Sequence, residues 1–200
     1  MGVRLIMATD RELYYKEKIV EYLSRRKGGC SQDSVIKYVL EQKNIGDAIL
    51  IAAVSRDAYG RKHSHQHRLE DSALHNFALR LHSHVTAIEN ATDFEQLISI
   101  VEKNKTHGIG EMAIYDTAFR IGVYKNIFPD KIYLHKGTKI GVERFMRRTI
   151  HKNSILKQEL RAPFNICELV PWQLEDFFCI YKDIFLDNGY ELNRPKRRWC

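Results

Sequence analysis

The chain lacks an apolar run long enough for a membrane. Its longest, Ala48 to Val54, is seven residues, against the roughly 20 that a bilayer-spanning helix needs. Neither a signal peptide nor a membrane anchor is read in it, and no membrane partner is expected. Cysteine is sparse and scattered: Cys30, Cys167, Cys179 and Cys200 include no Cys-x-x-Cys pair. That excludes an iron-sulfur cluster, and in a chain of this length it reads as reduced thiols in a cytoplasmic protein. Low-complexity stretches and internal repeats are missing. So is any apolar alternation of period two longer than Ile132 to Leu134, which leaves no basis for a large sheet.

What is present is ordinary globular material. Hydrophobic residues make up 44% and charged residues 28% of 200 positions, enough to bury a core without disulfides or structural metal. Lys and Arg number 32 against 25 Asp and Glu, a formal net charge of +7. The excess favours a polyanionic partner over an acidic substrate.

Apolar residues recur at helical spacing through most of the chain. Tyr15, Ile19, Tyr22 and Leu23 form one stripe, and Leu74, Phe77, Ala78, Leu81, Val85 and Ile88 a second. Phe94, Leu97, Ile98 and Val101 form a third, with Thr92 and Glu95 at capping-box spacing. A fourth follows Gly137 through Val142, Phe145, Met146, Thr149 and Ile150. A fifth, Leu174 to Phe185, opens with Pro171 in its first turn and is expected to close at Gly189. Ala48 to Val54 reads as a buried helix on its alanines. Asp57 to Arg68, Pro129 to Gly137 and the end from Asn188 read as loops. The expected fold is all-α, a compact bundle of about eight helices with short connections.

Residues 93–122 carry the most information. An amphipathic helix, a polar stretch Asn104 to His107, the triplet Gly108-Ile109-Gly110 and a second helix with Ile114, Ala118 and Ile121 inward follow in order. Two glycines let the backbone turn tightly, and Ile109 between them anchors the turn in the core. The amides that open the second helix, from Glu111 on, then face outward at its positive dipole end, where a phosphate oxygen binds well. This layout resembles the helix-hairpin-helix family of DNA-binding elements, in which a hydrophobic-Gly-hydrophobic-Gly turn separates two helices. The resemblance implies sequence-tolerant, salt-sensitive contact with the DNA backbone. Lys103, Lys105 and His107 lie beside the turn and add charge. The chain departs from the family at Ile114, which occupies a position where a small residue is usual.

The helix-hairpin-helix DNA glycosylases place a catalytic Asp about twenty residues beyond the hairpin, and similarity to them implies Asp130, with Asp116 and His135 as further catalytic candidates. Met112 stands where the lyase members carry a Lys, which excludes Schiff-base chemistry from that position. The bland reading of Asp116 is an intrahelical pair with Arg120, four residues on. Gly60-Arg61-Lys62-His63, Tyr115-Asp116-Thr117-Ala118 with Arg120-Ile121-Gly122, and Tyr133-Leu134-His135 with Gly137 together also resemble a group of bacterial proteins that lends no activity.

Six of nine histidines fall between His63 and His84. His63, His65 and His67 alternate, and an extended backbone puts alternate side chains on one side. No Cys lies near and only Glu70 and Asp71 follow closely, so no metal and no cofactor is expected. Arg61, Lys62, His65 and Arg68 read instead as a surface for phosphate. The end of the chain, with Arg194, Lys196, Arg197, Arg198 and Trp199, is a basic tail suited to nucleic-acid contact.

The expectation is a single helical domain over 1–187, a helix-hairpin-helix at 93–122 and a basic tail over 188–200, binding the DNA phosphate backbone without sequence preference. A glycosylase-like base-excision enzyme and a non-enzymatic helical interaction module are the alternatives.

Overall fold

The computed structural model describes residues 2–26 and 33–186, with side chains from residue 10 onward. The fold is all-α, as the stripes imply: nine α-helices among the described residues and one two-stranded ribbon. The chain groups into two compact units, one of Gly28–Pro129 and the other of Met1–Lys27 with Asp130–Cys200. No described helix is long and apolar enough to cross a membrane.

The Gly28–Pro129 unit holds six helices: α2 (Ser34–Leu40), α3 (Ile45–Val54), α4 (Asp71–His82), α5 (Val85–Asn90), α6 (Phe94–Lys103) and α7 (Glu111–Lys125). Helix α3 is the segment read as a buried helix, and it packs on α2, α4 and α7. Ala48, Ile49, Ala52 and Ala53 are fully buried. Small residues there let three neighbours approach a helix that is apolar all round. Around it lie the buried Val35, Val39, Leu74, Phe77, Leu81, Leu97, Val101 and Ile121.

The stripe from Leu74 to Ile88 is two helices, because α4 stops at His82 and α5 begins at Val85. Helix α6 starts one residue past the expected Thr92 cap. Asp93 accepts the Gln96 amide at 2.8 Å, and the Gln96 side chain returns to Asp93 at 2.6 Å and to Thr92 Oγ1 at 3.1 Å. This register sets Phe94, Leu97 and Val101 inward, and a carboxylate is the stronger acceptor at a positive helix end.

The other unit contains α1 (Gly2–Arg25), β1 (Ile132–Tyr133), α8 (Lys136–Met146), β2 (Ser154–Ile155) and α9 (Pro171–Ile180). Its core is aromatic: Phe145, Phe164, Phe177, Phe178 and Phe185 are buried together with Ile19 and Tyr22 of α1. Ring pairs such as Phe145 with Phe164, at 4.9 Å and 87°, meet edge to face. The strands pair antiparallel, Ile132 opposite Ile155, so the stretch Pro129 to Gly137, read as a loop, contains a short strand. Pro171 opens α9 as expected, but the helix ends at Ile180 and a 3-10 turn over Lys182–Phe185 completes the stripe. Helix α8 likewise ends at Met146, leaving Thr149 and Ile150 outside it. Gly189 and the basic tail lie outside the described residues. Cys167 is a free thiol.

Candidate functional site

Residues 104–110 join α6 to α7. Gly108 takes φ +84°, a conformation other residues adopt at a cost. Ile109 is buried, and its amide closes the turn on the Thr106 carbonyl at 3.2 Å. Gly110 is the N-cap of α7, with extended backbone and no side-chain cap hydrogen bond. A Cβ built on Gly110 meets nothing within 4 Å. Gly110 and Glu111 are exposed, as are Lys103, Lys105 and His107. Ile114 packs into the core despite its size, alongside Ala113, Ala118 and Ile121.

The segment after α3 is ordered by its own polar groups rather than solvated. Ser55 ends α3 in the left-handed region at φ 58°. The chain then folds back so that Arg56 pairs with Lys62 and the His63 amide reaches the Ser55 carbonyl at 2.9 Å. Asp57, buried, accepts the amides of Tyr59 and Arg61 at 3.0 Å and the Arg61 guanidinium at 2.8 Å. Lys62, expected as a surface cation, is largely buried, bonding the Leu69 carbonyl at 2.8 Å and Asp71 at 2.7 Å. Arg61 and Arg68 are exposed. Tyr59 stands out at 84% exposure, with the Arg61 guanidinium 5.1 Å from its ring centre. The two surfaces adjoin through the start of α4. Thr106 and Gly108 touch Ala73, two residues from the Asp71 that Arg56 and Lys62 hold.

Below this surface a single 3-10 turn, Ser64–Gln66, delivers His65 and Gln66 onto α7. His65 Nδ1 lies 2.9 Å from Asp116 Oδ2, and Gln66 Nε2 donates to the same oxygen at 2.7 Å. Arg120 is 2% exposed. It donates to Ser55 Oγ at 2.7 Å, to the Ala52 carbonyl at 3.3 Å and to Gln66 Oε1 at 3.3 Å. The expected intrahelical pair Asp116 with Arg120 exists only at its outer limit, 4.0 Å. The closer partners of both residues come from the loop. Burial opposes the charge on Asp116, but the His65 hydrogen bond and the Arg120 charge outweigh it and hold the carboxyl below its ordinary range. An ionised Asp116 accepts only, so His65 Nδ1 carries the proton between them.

His63 stands edge-on to His65, ring centres 4.7 Å apart, and its Nε2 lies 3.2 Å from Asp33 Oδ2. Asp33 also caps α2 through Oδ1, bonded by the Val35 and Ile36 amides. Burial pushes its carboxyl up, yet His63, Arg120 and the cap amide together pull it well below the carboxylate range. His67 turns away and bonds the Ser64 carbonyl, so two of the three alternating imidazoles converge. Their acidic partners are Asp33 and Asp116, not Glu70 or Asp71.

The catalytic candidates are divided between the units: Asp116 belongs to Gly28–Pro129, Asp130 and His135 to the other. Asp130 is exposed at the bend before β1. His135 is the N-cap residue of α8, its ring stacked on Tyr133 at 6.5 Å. Asp33, Ser55 and Gln66 were not anticipated. Nothing in local spacing marks Asp33 or Ser55, whereas Gln66 sits between the alternating histidines. The chain matches no protein-family model, no curated protein and no solved structure.

Proposed function

We propose that the protein binds duplex DNA through its phosphate backbone, without sequence preference, at the α6–α7 hairpin. The observation that carries this reading is the open start of α7. Gly110 supplies no cap and no neighbouring atom fills the space beside it. The first amides of a 15-residue helix have no side-chain cap at the end that bears roughly half a positive charge. An anion is the natural partner of such a group, and backbone phosphate is its most abundant form on a nucleic acid.

Further support comes from the surroundings. Lys103, Lys105 and His107 are exposed on the approach to the turn, and Arg61 with Tyr59 lies on the surface joined to it through α4. Exposed aromatic and guanidinium groups stack on bases or sugars at modest cost. Glycosylase-like base excision is the second reading. It draws on Asp116, which among the three catalytic candidates shares a polar cluster with His65 and Gln66.

The test is fluorescence anisotropy with a labelled duplex of arbitrary sequence. Affinity falls with salt at a log-log slope of about −0.9 per phosphate contacted. Gly110 has φ −96°, which any residue adopts, so Gly110→Trp folds and covers the amides. Its affinity drops at least about tenfold, the worth of one charge-assisted contact. Unchanged binding by that variant refutes the hairpin as the contact.

A further inference from the structure

We propose that His63, His65 and Asp116 form a binding site for a transition-metal dication, zinc in particular. The inference is independent of the DNA reading. One ring nitrogen of each histidine and a carboxylate oxygen of Asp116 lie within 4.8 Å of one another. Ligands around tetrahedral zinc, with bonds of about 2.0–2.1 Å, sit about 3.3 Å apart. Side-chain rotations of modest size close the difference.

The donor set selects the ion. Two imidazoles and one carboxylate suit zinc and its neighbours in the first transition row, and suit calcium or magnesium poorly because those want oxygen. Three protein ligands leave a fourth position for water or an anion. The side chains of His63, His65 and Asp116 are 21%, 22% and 13% exposed. An ion can therefore enter, yet the low-dielectric surroundings strengthen its attraction to the carboxylate.

The groups behind the donors are those a metal site needs. Asp33 Oδ2 stands 3.2 Å from His63 Nε2, which leaves Nδ1 as the ligand atom, to be released by the ion from the His65 amide that it accepts at 3.3 Å. Gln66 Nε2 holds Asp116 Oδ2 at 2.7 Å. The loop itself is fixed by the Arg56 and Lys62 bridge and by the Ser55 carbonyl, so the ligands are not carried on a floppy segment. Charge also favours the ion. With both imidazoles neutral, as ligands must be, the carboxylates of Asp33 and Asp116 face one guanidinium, Arg120, whose field acts on both. Two negative charges against one positive leave an unbalanced negative charge for a dication to meet. The metal would displace the proton that His65 now shares with Asp116, an exchange general to imidazole and carboxylate ligands.

The experiment is a cobalt(II) titration of the full chain after chelator treatment, followed by visible ligand-field absorption, with zinc added afterwards to displace cobalt. The wild type takes up one equivalent saturably, and zinc binding raises its Tm. His63→Gln and His65→Gln each weaken cobalt binding by more than the roughly 10- to 100-fold typical of an orienting partner. Asp33→Asn keeps the α2 cap and weakens binding within that 10- to 100-fold range. His67→Gln leaves it unchanged. Absence of saturable uptake in the wild type overturns the proposal, and this arm needs no variant to fold. So does undiminished affinity in His63→Gln and His65→Gln, or a loss in His67→Gln as large as theirs, which would mean unspecific chelation by the histidine segment.

Discussion

His65 Nδ1 and Asp116 Oδ2, 51 positions apart in the chain, lie 2.9 Å from one another. The contact ties the loop after α3 to the middle of α7. With Arg120 bridging Ser55 and Gln66, it replaces apolar packing between two elements by a polar network. A buried network is strong only while every member is satisfied. Removing the carboxylate leaves two donors, His65 Nδ1 and Gln66 Nε2, without their shared acceptor, and takes from Arg120 one of its two counter-charges. Asp116→Ala is expected to cost about 3 kcal/mol, the range found when one member of a buried ion pair is deleted. Urea unfolding measures it; a loss below about 1 kcal/mol would be the ordinary cost of a surface change and would remove the network from the stability argument.

The same carboxylates set the response to acid. Asp33 and Asp116 both ionise more readily folded than unfolded, so the folded state binds fewer protons than the unfolded chain around their ordinary pKa of 3.8. Their contribution is complete above that value and is lost as the pH falls below it through the folded pKa. Stability of the wild type therefore declines steeply from about pH 4 downward. Asp33→Asn, which retains the α2 cap, flattens that decline. A parallel decline in wild type and variant, read from urea midpoints at successive pH values, would contradict the assignment to Asp33.

At the hairpin one residue works against the proposed ligand. Glu111 is exposed in the first turn of α7. Its carboxylate favours the helix dipole but repels an incoming phosphate. Glu111→Gln is expected to tighten duplex binding about three- to tenfold at low salt and to make little difference at high salt. Anisotropy at two ionic strengths checks it. Weaker binding by the variant would mean that Glu111 itself contacts the partner.

The helices were legible because each stripe is a local property of sequence. Leu74, Phe77, Ala78 and Leu81 declare an inward face wherever the chain goes next, and all four are buried. The Gly108-Ile109-Gly110 turn was legible for the same reason: a glycine at positive φ and a buried plug act within three residues. Boundaries were less so, since Thr92 and Asp93 are both capping residue types, and it is Asp93 that accepts the Gln96 amide while Thr92 bonds only the Gln96 side chain. The polar cluster was half legible. Alternation brought His63 and His65 to notice, but no local pattern points from them to Asp33, 30 positions earlier, or to Asp116, and Arg120, read as the partner of Asp116 one turn away, has its closer partners in Ser55 and Gln66.

Gly141 offers a test of the aromatic unit. A Cβ built there overlaps the Phe178 carbonyl oxygen and stands 3.0 Å from its carbon, so the absence of a side chain is what lets α8 lie against α9. The obstructing atoms are backbone in a helix whose neighbours Phe177 and Phe178 are fully buried, and they have no rotamer by which to move aside. Gly141→Ala must push the helices apart, opening gaps among Phe145, Phe164 and Phe178. The gain in helix propensity, about 1 kcal/mol, is outweighed by overpacking and lost contact of about 3 kcal/mol. A net loss of roughly 2 kcal/mol follows, visible as a lower urea midpoint with the slope unchanged. Gly110→Ala has open space at the same built position and serves as the control, with a midpoint close to that of the wild type. Equal midpoints for Gly141→Ala and Gly110→Ala would mean that α8 and α9 are not held at this distance.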